Sequence, residues 1–195
     1  MKPKTKFMIG GLLVLGTAGW LMVTSIKETG EYYMTPSELS TKLKVDPTVS
    51  VQWITTAMQI TNNGTMAVPL SDLTVRYWYT FDTLPDGGTP VAQASMCNYT
   101  FTPPGACGNV TFATWVRVMP AKMNADYYSQ IGFMAAAGNL NPGATAEFQV
   151  QFHKNDWTFF TQNTDYSFNG LNAFTATTKV TVYRVGTLVY GTEPP

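Results

Sequence analysis

Histidine occurs once in these 195 residues, as His153, and cysteine twice, as Cys97 and Cys107. A zinc site drawn from His and Cys would use all of them and still lack a ligand, and Ser/His/Asp catalysis would have to run through His153. Charge is also scarce: charged residues make up 12% of the chain, with 12 Lys and Arg balanced by 12 Asp and Glu. No run of cations occurs, and phosphate neutralisation needs clustered cations, which argues against a nucleic-acid partner. Carboxylates do not pair in any pattern suited to general acid and base work, since Asp126, Glu147, Asp156 and Asp165 fall in different segments. The chain therefore reads as a non-enzyme. It is rich instead in Thr, Asn, Gly, Tyr and Trp, the composition of a β-rich extracellular domain that works through surface aromatics and amides.

The scarce charges are unevenly placed. All 20 residues from Phe7 to Ile26 are uncharged, and a helix rising roughly 1.5 Å per residue over that length just spans a hydrocarbon core of about 30 Å. Lys2, Lys4 and Lys6 precede it, whereas Lys27 is offset at once by Glu28 and Glu31. By the positive-inside bias, residues 1–6 form a cytoplasmic basic head, 7–26 a transmembrane anchor, and the remainder is exported. The alternative for 7–26 is a signal peptide cleaved near Val23-Thr24-Ser25, which would leave the domain secreted. Residues 27–47 read as a short helix and linker, with Thr35-Pro36-Ser37-Glu38-Leu39 as a helix start.

After residue 47 the period becomes two. Leu73, Val75, Tyr77, Tyr79 and Phe81 alternate with Thr74, Arg76, Trp78 and Thr80, and Ala146, Phe148, Val150 and Phe152 alternate with Glu147, Gln149, Gln151 and His153. Further strand-like runs cover 51–61, 109–119, 126–134, 179–185 and 187–190. Asn62-Asn63-Gly64, Pro85-Asp86-Gly87-Gly88, Asn141-Pro142-Gly143 and Gly186 are turn signals between them. The pattern predicts an all-β antiparallel sandwich, jelly-roll-like, over residues 48–195.

Three groups of residues could carry chemistry. In an oxidising compartment Cys97 and Cys107 could close a disulfide around a Pro- and Gly-rich loop, the alternative being two buried thiols. Gln149, Gln151 and His153 lie on the outward face of their strand and lead into Lys154-Asn155-Asp156-Trp157. Amides beside an exposed indole suit a pyranose, whose axial C–H bonds pack on the ring while its hydroxyls take amide hydrogen bonds; alternatively Trp157 is core and the glutamines merely solvated. Thr80 and Asp82 at one strand end, with the polar loop Thr161-Gln162-Asn163-Thr164-Asp165, offer oxygen ligands to a hard cation such as calcium.

Several runs in collinear order then resemble a family 3 carbohydrate-binding module. They are Asn63 to Thr80, Ala125-Asp126-Tyr127-Tyr128, Gly132-Phe133, Lys154-Asn155-Asp156-Trp157, Asn163-Thr164-Asp165-Tyr166-Ser167-Phe168 and Gly186 to Pro194. The resemblance implies a sandwich of about nine strands that binds cellulose or a related β-glucan and carries structural calcium. It makes Trp157 a stacking ring and Gln149 a polar contact of the same strip. Cys97-Asn98-Tyr99 is similar to the family's Cys-Asp-His or Cys-Asp-Tyr segment, so Tyr99 becomes a second ring, while Asn98 replaces Asp and Gln151 replaces a common Arg. Loss of both partners of a charge pair leaves a neutral strip with neither orphaned. The implied calcium ligands are Thr80, Asp82, Thr161, Thr164 and Asp165, and glycoside hydrolases are implied neighbours.

Residues 7–41, above all Lys27 to Leu39, resemble the membrane anchor and following stretch of the cytochrome c maturation haem chaperone. The expected arrangement is a non-catalytic polysaccharide-binding module held outside the bacterial inner membrane, or secreted if 7–26 is cleaved. Two alternatives stand beside it: a structural or assembly protein using the sandwich for protein contacts, and a haem chaperone with haem at His153.

Overall fold

The computed structural model describes residues 38–82, 93–102 and 107–195, the side chains of 93–102, 108 and 111–114 excepted. The anchor expected at 7–26, the helix start at Thr35-Pro36-Ser37 and the Pro85 turn lie outside the described residues. Among those described, no helix is long and apolar enough to cross a membrane.

The strands are β1 (Leu39–Val45), β2 (Ser50–Val51), β3 (Trp53–Asn62), β4 (Val68–Pro69), β5 (Leu73–Tyr79), β6 (Gln93–Thr102), β7 (Val110–Lys122), β8 (Ala125–Phe133), β9 (Asn139–Leu140), β10 (Thr145–Lys154), β11 (Phe160–Thr161), β12 (Thr175–Ala176), β13 (Thr181–Arg184) and β14 (Thr187–Tyr190). Two five-stranded antiparallel sheets, β12-β1-β3-β10-β6 and β14-β13-β5-β8-β7, form the layers of the sandwich, and β11-β2 and β4-β9 are short additional pairs. Alternation is what packs them. Ile54, Met58, Ile60, Phe148, Val150 and Phe152 of the first sheet are buried with Val75, Tyr77, Tyr79, Tyr127, Ile131 and Val182 of the second in one core.

Two expectations are corrected. The stretch assigned to helix and linker up to residue 47 contains β1, so the sandwich begins at or before Leu39 rather than at 48. Leu39, Thr41, Leu43 and Val45 point inward and Ser40, Lys42 and Lys44 outward, a period of two that a helix would spread round its circumference. Pairing of all seven β1 residues with β3 then outweighs the helix-start residues just upstream. The second concerns residues 93–102, absent from the expected strand-like runs, which form β6 and pair Cys97 with Val150. The run from 51 to 61 is also interrupted, with Gln52 standing between β2 and β3.

The C-terminal residues are tied to the sandwich. Met123 N donates to Pro195 O at 2.9 Å, Tyr166 Oη to Thr192 O at 3.0 Å and Thr192 N to Thr178 O at 2.7 Å. Gly191 makes this docking possible: its φ is +86°, and a Cβ there would lie 2.7 Å from Val180 O and 2.8 Å from Thr178 O. Gly191→Ala combines left-handed strain with a clash against backbone, and should destabilise the fold by at least about 2 kcal/mol in equilibrium denaturation.

Candidate functional site

Outward residues of the first sheet make a polar face. On β10 Gln149 and Gln151 point out while Phe148, Val150 and Phe152 point into the core. Register pairs Gln151 with Thr55 and His153 with Trp53 on β3, and Gln151 Nε2 donates to Thr55 Oγ1 at 2.8 Å. Across the other edge, β6 brings Tyr99 opposite Gln149 and Met96 opposite Gln151, and Asn98 falls at the irregularity between those pairs. Beside Gln149 the surface dips into an open depression of about 410 Å³ lined in part by Lys44, Asp46, Thr55 and Asn172.

Trp157 closes one end of this face. It follows the turn that leaves β10, its N–H donating to Lys154 O at 3.0 Å, and 46% of it is exposed, so it is not a core residue. Asp156 Oδ1 accepts from Thr158 N at 3.1 Å and Thr158 Oγ1 at 2.8 Å. Those bonds hold its carboxyl below the usual range, the backbone N–H of Thr158 chief among them. Lys154, the next residue along from His153, faces the other way and is fully buried, its Nζ donating to Phe159 O at 2.8 Å. Burial pushes its pKa down, with Asp82, Asp156, Asp126 and Asp165 opposing the shift.

A second constellation sits where β5 ends. Thr80, Asp82, Thr161, Thr164 and Asp165, separated by up to 85 residues, are brought together. Asp165 Oδ1 accepts from Thr80 N at 2.8 Å and from Thr80 Oγ1 at 2.9 Å. Thr161 N donates to Asp82 Oδ2 at 2.6 Å, Thr80 Oγ1 lies 3.2 Å from Asp82 Oδ1, and Thr164 Oγ1 donates to Thr161 O at 2.7 Å. Asp165 Oδ2 is buried without a hydrogen-bond partner. Burial pushes the Asp165 carboxyl up to about 8; the Thr80 bonds pull against that, while Asp82 and Asp126 add to it. Asp126, absent from the sequence-derived set, accepts from Phe81 N at 2.7 Å. Among the described residues no three His, Cys, Asp or Glu side chains converge on a common point. Two carboxylates, two hydroxyls and a carbonyl with an orphaned buried oxygen nevertheless form a donor set that fits a hard cation.

His153 does not present a haem ligand to solvent. Its ring is nearly buried, and Nδ1 lies 2.8 Å from Lys154 O.

A sandwich with one amide-bearing face, an exposed indole at its end and an oxygen-rich cluster at a strand terminus defines a β-sandwich binding module. The chain belongs to the cellulose binding domain family, the family 3 carbohydrate-binding modules, whose model matches residues 38–191. It is 42% identical over 137 residues to Exoglucanase-2 of Thermoclostridium stercorarium and 37% identical over 161 residues to Cellulosomal-scaffolding protein A of Acetivibrio thermocellus. Those alignments cover 70% and 80% of this chain but only 14% and 8% of the relatives. Among solved structures, a carbohydrate-binding module of Ruminiclostridium thermocellum is 39% identical with a TM-score of 0.72, covering 80% of this chain and 99% of that one. The CBM3b of the scaffoldin subunit ScaA from Acetivibrio cellulolyticus is 32% identical with a TM-score of 0.73, covering 82% and 99%. The domain is a non-catalytic carbohydrate-binding module, and neither the assembly-protein nor the haem-chaperone reading is favoured.

Proposed function

We propose that the chain binds cellulose or a related β-glucan on the outer face of the first sheet, by stacking on Trp157 and Tyr99 and hydrogen bonding to Asn98, Gln149 and Gln151. One observation carries this reading. The β3-β10-β6 register gathers Gln149, Gln151 and the backbone positions of Asn98 and Tyr99 on adjacent strands, with the exposed Trp157 at the end of the same strand. A row of amides and rings matches the repeating hydroxyl edges and apolar faces of a β-glucan chain. Because the strip is uncharged, its affinity should change little between low and high salt, unlike a surface that relies on ion pairs. Retention of the full chain on microcrystalline cellulose tests the proposal, and failure to bind any insoluble β-glucan would reject it.

Three further elements belong to the same proposal. Thr80, Asp82, Thr161, Thr164 and Asp165 hold structural calcium, which supplies positive charge to the buried Asp165 carboxylate. Cys97 and Cys107 form a disulfide, the bond that an oxidising compartment favours for this pair. Residues 7–26 display the module outside the bacterial inner membrane, or direct its secretion if cleaved, and glycoside hydrolases act beside it on the same polysaccharide.

A further inference from the structure

Behind Trp157 lies an aromatic group to which the glucan-binding reading gives no role. The imidazole of His153 stacks on the Trp157 indole with centroids 4.2 Å apart and planes inclined by 18°. Trp53 packs beside the same imidazole in a tilted contact, also at 4.2 Å, and the two indoles touch edge-on at 5.4 Å. His153 belongs to the outward set of β10, yet it is only 9% exposed; the two indoles cover it. The contact between Nδ1 and Lys154 O, 2.8 Å, fixes the rotation of the imidazole.

The backbone of Trp157 is held just as firmly. Its φ is +60°, a left-handed conformation that glycine adopts at lower cost. Gln52, the residue between β2 and β3, donates from Nε2 to Trp157 O at 2.8 Å. Gln52 and Trp53 thus grip the same turn from one short segment, one at the carbonyl and one through the rings. A bulky side chain kept in a strained turn, when glycine would relieve the strain, points to a use for the side chain itself.

We propose that His153, flanked by Trp53 and assisted by Gln52, is a positioning residue that covers one face of the Trp157 indole and holds the ring ready for sugar. This rests on the stacking reading of the preceding subsection. An unsupported indole on an exposed turn would sample several rotamers and would lose that freedom on binding. A ring already fixed avoids this cost, and each rotamer-rich side chain immobilised in an interface otherwise weakens binding roughly two- to twelvefold. With its inner face occupied, Trp157 can stack through the outer face alone.

The test compares full-length wild type with His153→Ala, His153→Phe, Gln52→Ala and Trp157→Ala. Binding isotherms on microcrystalline cellulose are measured together with the circular-dichroism couplet that the adjacent Trp53 and Trp157 indoles should produce. His153→Ala should weaken binding roughly three- to tenfold and reduce the couplet. His153→Phe, which restores a flat ring without the Nδ1 contact, should recover both. Unchanged affinity or an unchanged couplet in His153→Ala overturns the positioning role, as does a His153→Phe variant no better than alanine. Should His153→Ala not fold, Gln52→Ala carries the test, because it leaves every ring in place and frees the Trp157 carbonyl; wild-type affinity there overturns the proposal. Loss of binding in Trp157→Ala beside unchanged His153→Ala defeats the positioning role alone, whereas undiminished binding in Trp157→Ala defeats the stacking reading itself.

Discussion

Alanine at both Trp157 and Tyr99 is expected to abolish retention of the chain on microcrystalline cellulose while leaving its melting temperature nearly unchanged. Trp157 is well exposed and contributes nothing to the main core, so its removal costs affinity rather than fold. By analogy with bases stacked on aromatic side chains, each ring contributes about 1–3 kcal/mol, or roughly 5- to 150-fold in affinity. Trp157→Ala alone should then weaken binding by at least about fivefold, and the double variant should fall below detection. The strip holds no charged residue to compensate. Gln151 already spends one amide hydrogen on Thr55, so it is oriented before sugar arrives but has fewer free donors. Undiminished pull-down by the double variant would show that the polysaccharide sits on another face.

Removing calcium should have the second largest effect, on stability. Free calcium at about a hundred times its Kd would stabilise the folded state by about 2.7 kcal/mol, which for a chain of this size corresponds to roughly 5–10 °C in melting temperature. The effect should depend on pH. The Asp165 carboxyl rises from 3.8 to about 8 on burial without metal, so between those values the folded state keeps a proton that the unfolded state has lost. Metal-free protein therefore loses stability as pH rises from about 4 to about 8. Calcium must displace that proton, so its stabilisation should be small at about pH 5 and large at about pH 8. Differential scanning calorimetry at both values, with calcium or with chelator, checks this; equal melting temperatures in calcium and chelator at the higher pH would sink the assignment. Asp165→Asn should abolish the calcium effect and, in chelator at the higher pH, be no less stable than wild type.

Much of this was legible in order of residues. Strict alternation in β5 and β10 identified the half-buried strands, because a pleated backbone sends successive side chains to opposite faces whatever the rest of the molecule does. It also placed Gln149 and Gln151 outward correctly. β1 was missed for a local reason: Thr35-Pro36-Ser37-Glu38 carries the capping chemistry of a helix, and local signals cannot register that β3 lies waiting to pair with all seven residues of β1. β6 escaped notice because its alternation is interrupted at Asn98 and again near Phe101, where its register against β10 shifts.

The sequence by itself determined the class of the protein, an all-β binding module poor in charge, with amides and aromatics on one strand face and oxygen donors at two separated sites. Periodicity, composition and short collinear motifs are local properties, and they survive without coordinates. Only the tertiary structure decided which separated residues meet. It brought Thr80 and Asp82 against Thr161, Thr164 and Asp165, left one oxygen of Asp165 buried without a hydrogen-bond partner, and set Trp53, His153 and Trp157 in contact. Those outcomes depend on inter-strand register and on the left-handed turn at Trp157. Register is chosen by the simultaneous burial of both sheets' apolar faces, a condition no single strand can express.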